Sequence, residues 1–502
     1  MINMRTLYIA DQQYPAIKRE FILKVDGARP ILYSLDYINT QIYYLEPIEG
    51  FVLSLLDGRR SLSELSDLFK RLFPRCELLL LELLRGVDTR VRMSPSQTGL
   101  GKDGLVDVSD RPLADAQAFD PREFIIDPAD FAARKSSPKS SLRLDTPINI
   151  YTVFTHRCLT DCVYCYADRC KMTEMSLARW REIIREMRSL GIWLASPDNG
   201  DTFARRDGID LLECLLENEM HFLLSTKAYV SRDYVERLVD SGFTKKVRGV
   251  IQRQVQLSVD AVDDDVSRRI LNIKRSNVGR NLETVENFLA FGIMPKVKSV
   301  ITGLNYDQPE KIVDRFYERG ARVFHFVRYG RSFHRHTDDL FVNDAAAASL
   351  KAQFDKIRSL YDDISVVENL AQVQPNPGKP DPDVARTIWD GRIGCGGGWS
   401  ALGISPNGKA FLCEQMKMAE PFFVGDASYQ SIEEIWHGAQ LKAFTNPEPE
   451  EFVGTACESC PEFETCMWEK GRCYRDAYFS YGTVFHPPPL CPSNYRPGLR
   501  LS

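Results

Sequence analysis

Cys158-Leu159-Thr160-Asp161-Cys162-Val163-Tyr164-Cys165 places three cysteines within eight residues. A β-branched and aromatic run, Ile148 to Phe154, precedes it and reads as a strand, and a helical pattern opens after it at Ser176. A 4Fe-4S cluster takes four thiolates. Three thiolates on one short loop anchor three irons and leave the fourth open to a ligand. A zinc knuckle or a set of buried thiols is the alternative reading of the spacing. The cysteines further along the chain weigh against it.

From Ile148 to about Arg328 strands and helices alternate. Candidate strands are Ile148–Phe154, Ile192–Ala195, His221–Ser225, Val255–Val259, Lys296–Ile301 and Arg322–Val327, with helices opening near Ser176, Asp207, Ser231, Arg280 and Pro309. In the first helix Leu177, Trp180, Ile183, Ile184, Met187 and Leu190 share one face, and Gly191 suits the residue after its C-cap. Such alternation predicts a parallel sheet, and six repeats match a partial (β/α)6 barrel. Sites in such barrels gather at the C-terminal ends of the strands. Asn199-Gly200-Asp201 falls there after the second strand, and Ser225-Thr226-Lys227 after the third. Ser258 and Asp260 close the fourth and share a face by strand alternation. The sixth runs into Arg328-Tyr329-Gly330-Arg331-Ser332, with His334 and His336 beyond, which read as solvated loop polars.

The C-x3-C-x2-C spacing, with the aromatic Tyr164 before its last cysteine, resembles the signature of the radical S-adenosylmethionine (SAM) superfamily. The resemblance implies that Cys158, Cys162 and Cys165 hold a cluster whose open iron chelates the methionyl amino and carboxylate groups of SAM. Electron transfer then cleaves the C–S bond and yields a 5′-deoxyadenosyl radical. Asn199-Gly200-Asp201 resembles the family's Gly-Gly-Glu motif, which holds the methionyl amino group; here Asn replaces the first Gly, and Asp201 is one methylene shorter than Glu. By the same resemblance Ser258 and Asp260 contact the ribose hydroxyls and the methionyl group, and Tyr164 is counted among the cofactor-binding residues. Either Arg275 or Arg280 takes the methionyl carboxylate.

A second cysteine group lies near the C-terminus: Cys395, Cys413, Cys457, Cys460, Cys466, Cys473 and Cys491, with Gly408 five positions before Cys413. It resembles the SPASM domain of peptide- and protein-maturing enzymes, which implies two auxiliary 4Fe-4S clusters and three clusters in all. By the family pattern Cys457, Cys460, Cys466 and Cys491 hold the outer one. Cys395, Cys413 and Cys473 hold the inner one and leave an iron without a protein thiolate. The chain departs from the pattern once, with six residues, Met467 to Arg472, where the family usually has three. Cys76, Cys170 and Cys214 stand apart; Cys170 is near enough to the first loop to leave its role open, and Cys214, among Leu211, Leu212 and Leu215, reads as core.

Before the barrel, Phe21–Val25, Ile31–Leu35 and Gln41–Leu45 read as strands, followed by helices at Pro47 to Leu56, after the capping box Ser61-Leu62-Ser63-Glu64, and at about Leu78 to Met93. This order, with the phrase Leu55-Leu56-Asp57-Gly58-Arg59-Arg60-Ser61, resembles the peptide-recognition module of ribosomal-peptide maturases, such as the peptide chaperone of pyrroloquinoline-quinone biosynthesis. The resemblance implies a leader peptide added as a strand to the edge formed by Gln41–Leu45 or its partner near Ile31–Leu35. A DNA-binding winged helix is the alternative, but Lys70 and Arg71 are balanced by Glu64 and Asp67.

The expected organisation is therefore α/β: a winged-helix-like module over 1–95, a linker over 96–145, a partial radical SAM barrel over 146–340, a Pro-rich bridge over 341–392 and a SPASM domain over 393–502. A chain of 502 residues suits several domains, and a net charge of -5 argues against a nucleic-acid partner held by phosphate contacts. Thirteen cysteines in clusters point to metal ligation more than to disulfides. Without a signal peptide or an apolar run of about 18 residues, a cytoplasmic protein without a membrane partner is expected. The expected activity is a radical SAM maturase that installs a cross-link, thioether or carbon–carbon, in a precursor peptide held by its leader and is reduced by a flavodoxin or ferredoxin. Epimerisation gives two auxiliary clusters less to do. A sulfatase-type maturase forming formylglycine would not need residues 20–95, and a non-catalytic electron carrier leaves Asp201, Ser258 and Asp260 without a role. No catalytic acid, base or nucleophile is marked by the sequence.

Overall fold

The computed structural model describes residues 7–27, 29–35, 40–74, 79–94, 101–114, 116–124, 142–247, 253–369, 382–392, 394–469 and 472–494. The chain divides into two compact units, the first built mainly from residues 1–140 and the second from the rest.

In the first unit β1 is Tyr14–Ile17, β2 Phe21–Asp26, β3 Arg29–Ser34 and β4 Ile42–Tyr44, followed by helices α1 Pro47–Ser54, α2 Leu62–Leu72 and α3 Leu80–Met93, and then β5 Val106–Ser109. Strands β2, β3 and β4 form an antiparallel meander, and β1 pairs antiparallel with β5. Phe21, Leu32, Phe51, Leu56, Leu65, Leu84 and Val91 make a common core. Helix α2 starts where the sequence marks it: the Ser61 hydroxyl accepts from Glu64 N at 3.3 Å, and Ser61 N donates to Glu64 Oε2 at 2.8 Å. Loss of that cap in Ser61→Ala lowers stability by about 1 kcal/mol, checked by urea unfolding.

Two expectations change here. Residues 101–124 are not linker. Strand β5 closes onto β1, Leu105, Val106 and Phe124 are buried in the core, and the Gln117 amide donates to the carbonyls of Lys18 (2.9 Å) and Phe21 (3.2 Å). The stretch has no apolar period, so its order comes from contacts distant in sequence. The segment Ile31–Leu35 is not an edge either, because β3 is paired on both sides; β2 and β4 are the edges. Cys76 and residues 125–141 lie outside the described residues.

The second unit is organised by one parallel ladder. Its strands are β6 Asn149–Thr152, β7 Leu194–Ser196, β8 Phe222–Thr226, β9 Arg253–Ser258, β10 Lys296–Ile301, β11 Val323–Arg328 and β12 Ser365–Asn369. Each pairs in parallel with the next, with a bridge from Leu194 to His221 joining β7 to the start of β8. Helices α4 Leu177–Ser189, α5 Gly208–Glu217, α6 Arg232–Asp240, α7 Asp264–Leu271, α8 Val278–Leu289, α9 Pro309–Tyr317 and α10 Asp344–Leu360 fill the connections. Strand β12 and helix α7 were not foreseen. The first lay inside the presumed bridge, and the second is a single short segment between a strand and a longer helix.

Beyond helix α11 Pro382–Asp390 the chain returns to the other side of β6. Strand β13, Ala401–Ile404, pairs in parallel with β6, and β14 Lys409–Phe411 and β15 Phe423–Asp426 continue antiparallel. Short helices α12 Ile432–Trp436, α13 Ala439–Thr445, α14 Phe463–Glu469 and α15 Tyr474–Tyr481 complete the fold. The C-terminal hairpin and the barrel thus share one sheet. Apolar side chains on the outer face of the ladder meet the helices, as where Trp180 packs edge-to-face on Phe154 at 4.8 Å.

Candidate cofactor and cluster site

The loop after β6 carries Cys158, Cys162 and Cys165. It is stitched to the end of α7 by Asp161 N to Leu271 O (2.9 Å) and Val163 N to Ile270 O (3.0 Å). The sulfurs of Cys158 and Cys162 both lie against the Thr160 hydroxyl, at 3.5 and 3.4 Å. Arg335 donates to the carbonyls of Asp161 and Cys162 at 3.2 Å each, Arg169 to Thr160 O at 2.7 Å, and the Ser332 hydroxyl to Cys165 O at 2.8 Å. The loop backbone is therefore held without its thiols, and cations surround it. Burial pushes the Cys162 thiol up to about 11 and raises that of Cys165. Thiols so placed stay protonated in the free protein and release their protons when they bind a metal. Cys170 contacts the His156 ring instead.

Asn199, Gly200 and Asp201 follow β7. Asn199 adopts a left-handed backbone, φ 76°, and both polar atoms of its side chain are buried without a partner. Gly200 passes so close to the loop that a Cβ would stand 2.0 Å from Thr155 O. Asp201 is 2 % exposed and its carboxylate is already occupied: it accepts from the Thr226 hydroxyl (2.9 and 3.0 Å) and from the backbone N–H of Phe203, Lys227 and Ala228. It braces the end of β8 against the turn after β7. The orphaned amide of Asn199, beside a backbone that only glycine permits, fits a polar ligand group resting on this turn.

Asp260 is equally engaged. Its Oδ2 accepts from the Tyr164 hydroxyl at 2.6 Å and the Lys227 ammonium at 2.7 Å, and its Oδ1 from Val300 N at 3.0 Å. This buried triad stands behind the cysteine loop, where the Lys227 charge is felt by Cys162 and Cys158. Lys227 was legible only as a polar residue at a strand end. Ser258 closes β9 and remains partly accessible. A cleft of about 270 Å³ opens beside the loop, lined by Thr160, Lys227, Ser276 and both Arg275 and Arg280. His334 and His336 sit on the loop after β11, His336 between the Tyr329 hydroxyl and Asp338.

Inside the ladder, Lys296 and Lys298 of β10 and His325 of β11 alternate with buried Val297, Ser299, Phe324 and Phe326 and keep part of their surface accessible. Branched apolar side chains ordinarily fill such a lumen; here charged groups stand close enough to act on one another. Asp198 is pushed up to about 6 by burial against the pull of Lys298 and Lys296. Glu414 is pushed up to about 8 by burial and by Asp198, with Tyr166 near it. The charged pair Lys296 and Lys298, two apart in the strand, was the sequence signal for this group. Glu414 carried none.

The C-terminal cysteines assemble in two groups. Cys457, Cys460, Cys466 and Cys491 line one cavity. Cys395, Cys413 and Cys473 feel one another's charge, and burial pushes their thiols up to about 11, 12 and 12. Cys214 packs in the barrel core beside Asn218. Among the described residues no three His, Cys, Asp or Glu groups approach closely enough for a single metal ion. A four-iron cube holds its thiolates further apart than a lone zinc does.

The family models agree with this geometry. Residues 152–316 match the radical SAM superfamily, and residues 395–461 match an iron-sulfur cluster-binding domain, SPASM. The chain carries a radical SAM domain and a SPASM domain, and the SPASM domain binds auxiliary iron–sulfur clusters. It is homologous to proteins named PqqA peptide cyclase: that of Methylocella silvestris is 23% identical over 366 residues, 70% of this chain and 88% of the relative, and that of Methylobacterium nodulans 24% identical over 358 residues, 69% and 86%. Among solved structures, Streptococcus suis SuiB bound to S-adenosylmethionine has TM-score 0.60 at 15% identity, covering 94% of this chain and 98% of that one. SuiB bound to its precursor peptide SuiA gives 0.59 at 16% identity, with the same coverage. The likeness to SuiB is one of fold.

Proposed function

We propose that this chain is a radical SAM enzyme that installs a cross-link in a ribosomally made precursor peptide. One observation carries the reading. Tyr166, next to Cys165, and Glu414, next to Cys413, act on one another electrostatically. The loop of the first cysteine set thus lies beside that of the inner auxiliary set. The homology to PqqA peptide cyclases and the SuiB fold, seen with SuiA bound, support the same substrate class.

Cys158, Cys162 and Cys165 would hold the catalytic cluster, Cys457, Cys460, Cys466 and Cys491 the outer auxiliary cluster, and Cys395, Cys413 and Cys473 the inner one. The turn Asn199-Gly200 and Ser258 would face SAM, with Arg275 or Arg280 taking its carboxylate. Asp201 and Asp260 act here from behind, the first by bracing the turn and the second by fixing Tyr164 and Lys227. Bound there, SAM and its cluster supply a 5′-deoxyadenosyl radical that takes hydrogen from a substrate carbon. Joining that carbon to a second side chain releases one electron and one proton. A cluster held by the inner set would supply an acceptor for the electron. Asp198, whose carboxylate makes no hydrogen bond to the described residues, is placed to hold the proton. The free edge of β4, within Gln41–Leu45, offers the leader a strand to pair with. A flavodoxin or ferredoxin serves as donor. Among the described residues no helix is long and apolar enough to cross a membrane, which suits work in the cytoplasm.

Removing residues 1–140, the whole first unit rather than the stretch before residue 96, is expected to weaken precursor binding at least tenfold. Uncoupled 5′-deoxyadenosine formation should persist. Binding measured by fluorescence polarisation, with product mass from the full chain, tests both parts. Equal affinity with and without the first unit removes the leader role, and a precursor of unchanged mass after turnover removes the cross-link.

A further inference from the structure

Arg472 closes the six-residue interval between Cys466 and Cys473 that sets this chain apart from the usual cysteine spacing. Arg472 is 3 % exposed, and among the described residues none of its three side-chain nitrogens has a hydrogen-bond partner. The guanidinium rests among three rings, 5.0 Å from Phe452, 5.0 Å from Tyr474 and 5.3 Å from Phe485. Such rings attract a cation modestly, and they satisfy none of its five N–H groups. An arginine cannot shed its proton to escape burial. A buried, unpaired cation is strongly unfavourable unless an anion stands beside it.

The acidic groups near it are Tyr474, Cys457, Glu451 and Cys395, of which the cysteines become anionic as thiolate ligands. Cys457 belongs to the outer cysteine set and Cys395 to the inner, and Arg472 favours the thiolate form of both. Two other arginines serve one set each: Arg392 donates to the Cys466 sulfur at 3.3 Å, and Arg475 acts on Cys413 and Cys473. Arg472 lines the cavity of the outer set, stands next in sequence to Cys473 of the inner set, and alone among the three acts on both. A cluster held by thiolates is anionic and gains a further negative charge on reduction, so net charge and hydrogen bonds to its sulfurs set its potential.

We propose that Arg472 is a positioning cation shared by the two auxiliary clusters, whose buried charge and unpaired N–H groups hold both reduction potentials up. An electron entering either cluster is then stabilised by the same charge, which levels the path between them. The inference rests on the assignment of two auxiliary clusters under the proposed function.

The test is an EPR-monitored redox titration of the reconstituted full chain against Arg472→Met, close in length but uncharged. Both auxiliary couples are expected to become harder to reduce, each by about tenfold in the reduction equilibrium, about 59 mV for one electron, while the catalytic cluster keeps its potential. Unchanged auxiliary potentials in a fully loaded variant overturn the inference, and leave the cluster assignment standing. If Arg472→Met does not load, pulsed EPR of Arg392→Lys/Arg475→Lys protein carrying isotopically labelled arginine decides, because those two changes remove the other labelled guanidinium groups beside the cysteine sets. Nitrogen hyperfine coupling to both reduced auxiliary clusters supports the shared cation, and its absence from either one overturns it. Unaltered protein that assembles no auxiliary clusters overturns the underlying assignment too.

Discussion

Replacing Cys158, Cys162 and Cys165 together by alanine is expected to reduce 5′-deoxyadenosine formation to background. The fold and the auxiliary cluster signals should remain. The loop does not depend on its sulfurs for its shape, because Leu271, Ile270, Arg335, Arg169 and Ser332 all hold it through backbone groups. What the triple variant loses is the ligand set for the iron that SAM requires. Iron analysis should fall by one cluster, circular dichroism should stay native, and chromatography of the turnover mixture should show no 5′-deoxyadenosine. A triple variant that still forms it would falsify the assignment of this loop.

Asp201→Ala is expected to cost about 4 kcal/mol of stability, since each buried donor left without an acceptor costs roughly 1–3 kcal/mol. Four donors converge on this carboxylate: the Thr226 hydroxyl and the N–H groups of Phe203, Lys227 and Ala228. Part of the loss is recovered because Ala228 N also reaches the Thr226 hydroxyl at 2.8 Å. The turn at Asn199-Gly200 loses its brace at the same time, so SAM affinity should fall. Asp201→Asn keeps an acceptor oxygen and should lie between. Urea unfolding and calorimetric titration with SAM measure the two effects. A change below about 1 kcal/mol would mean that the carboxylate is not the brace.

The cysteine sets and the alternating barrel were legible because each is local: a spacing on one loop, or a periodicity within one helix. The strand Lys296–Ile301 and the helix start at Pro309 agree with the structure to the residue. What the sequence concealed is whatever depends on partners far along the chain. Val106–Ser109 reads as linker until Tyr14–Ile17 pairs with it. Nothing local reveals that Ala401–Ile404 joins Asn149–Thr152. In the site, Asp201 and Asp260 were legible as polar residues at strand ends. Their engagement by Thr226, Lys227 and Tyr164 was not, because hydrogen-bond satisfaction is a property of the folded neighbourhood. Glu414 was hidden for a further reason: next to a cysteine ligand it looks like any solvated loop acid.

On the cluster assignment proposed above, the pairing of β13 with β6 makes the spacing of the redox centres a matter of registry. The first cysteine loop leaves from the end of β6, while Cys395 enters β13 and Cys413 follows the hairpin turn of β14. Those points are fastened by the ladder Ala401↔Asn149 through Ile404↔Thr152. Sliding that ladder by its smallest face-preserving step, two residues, would displace one centre from the other by about 6.6 Å. Electron tunnelling falls off exponentially with separation, so such a step changes its rate by orders of magnitude. The C-terminal segment is therefore not a detachable cassette. A chimera that imports it from a relative inherits the electron-transfer distance only if the donor's β13 docks on β6 in the same register.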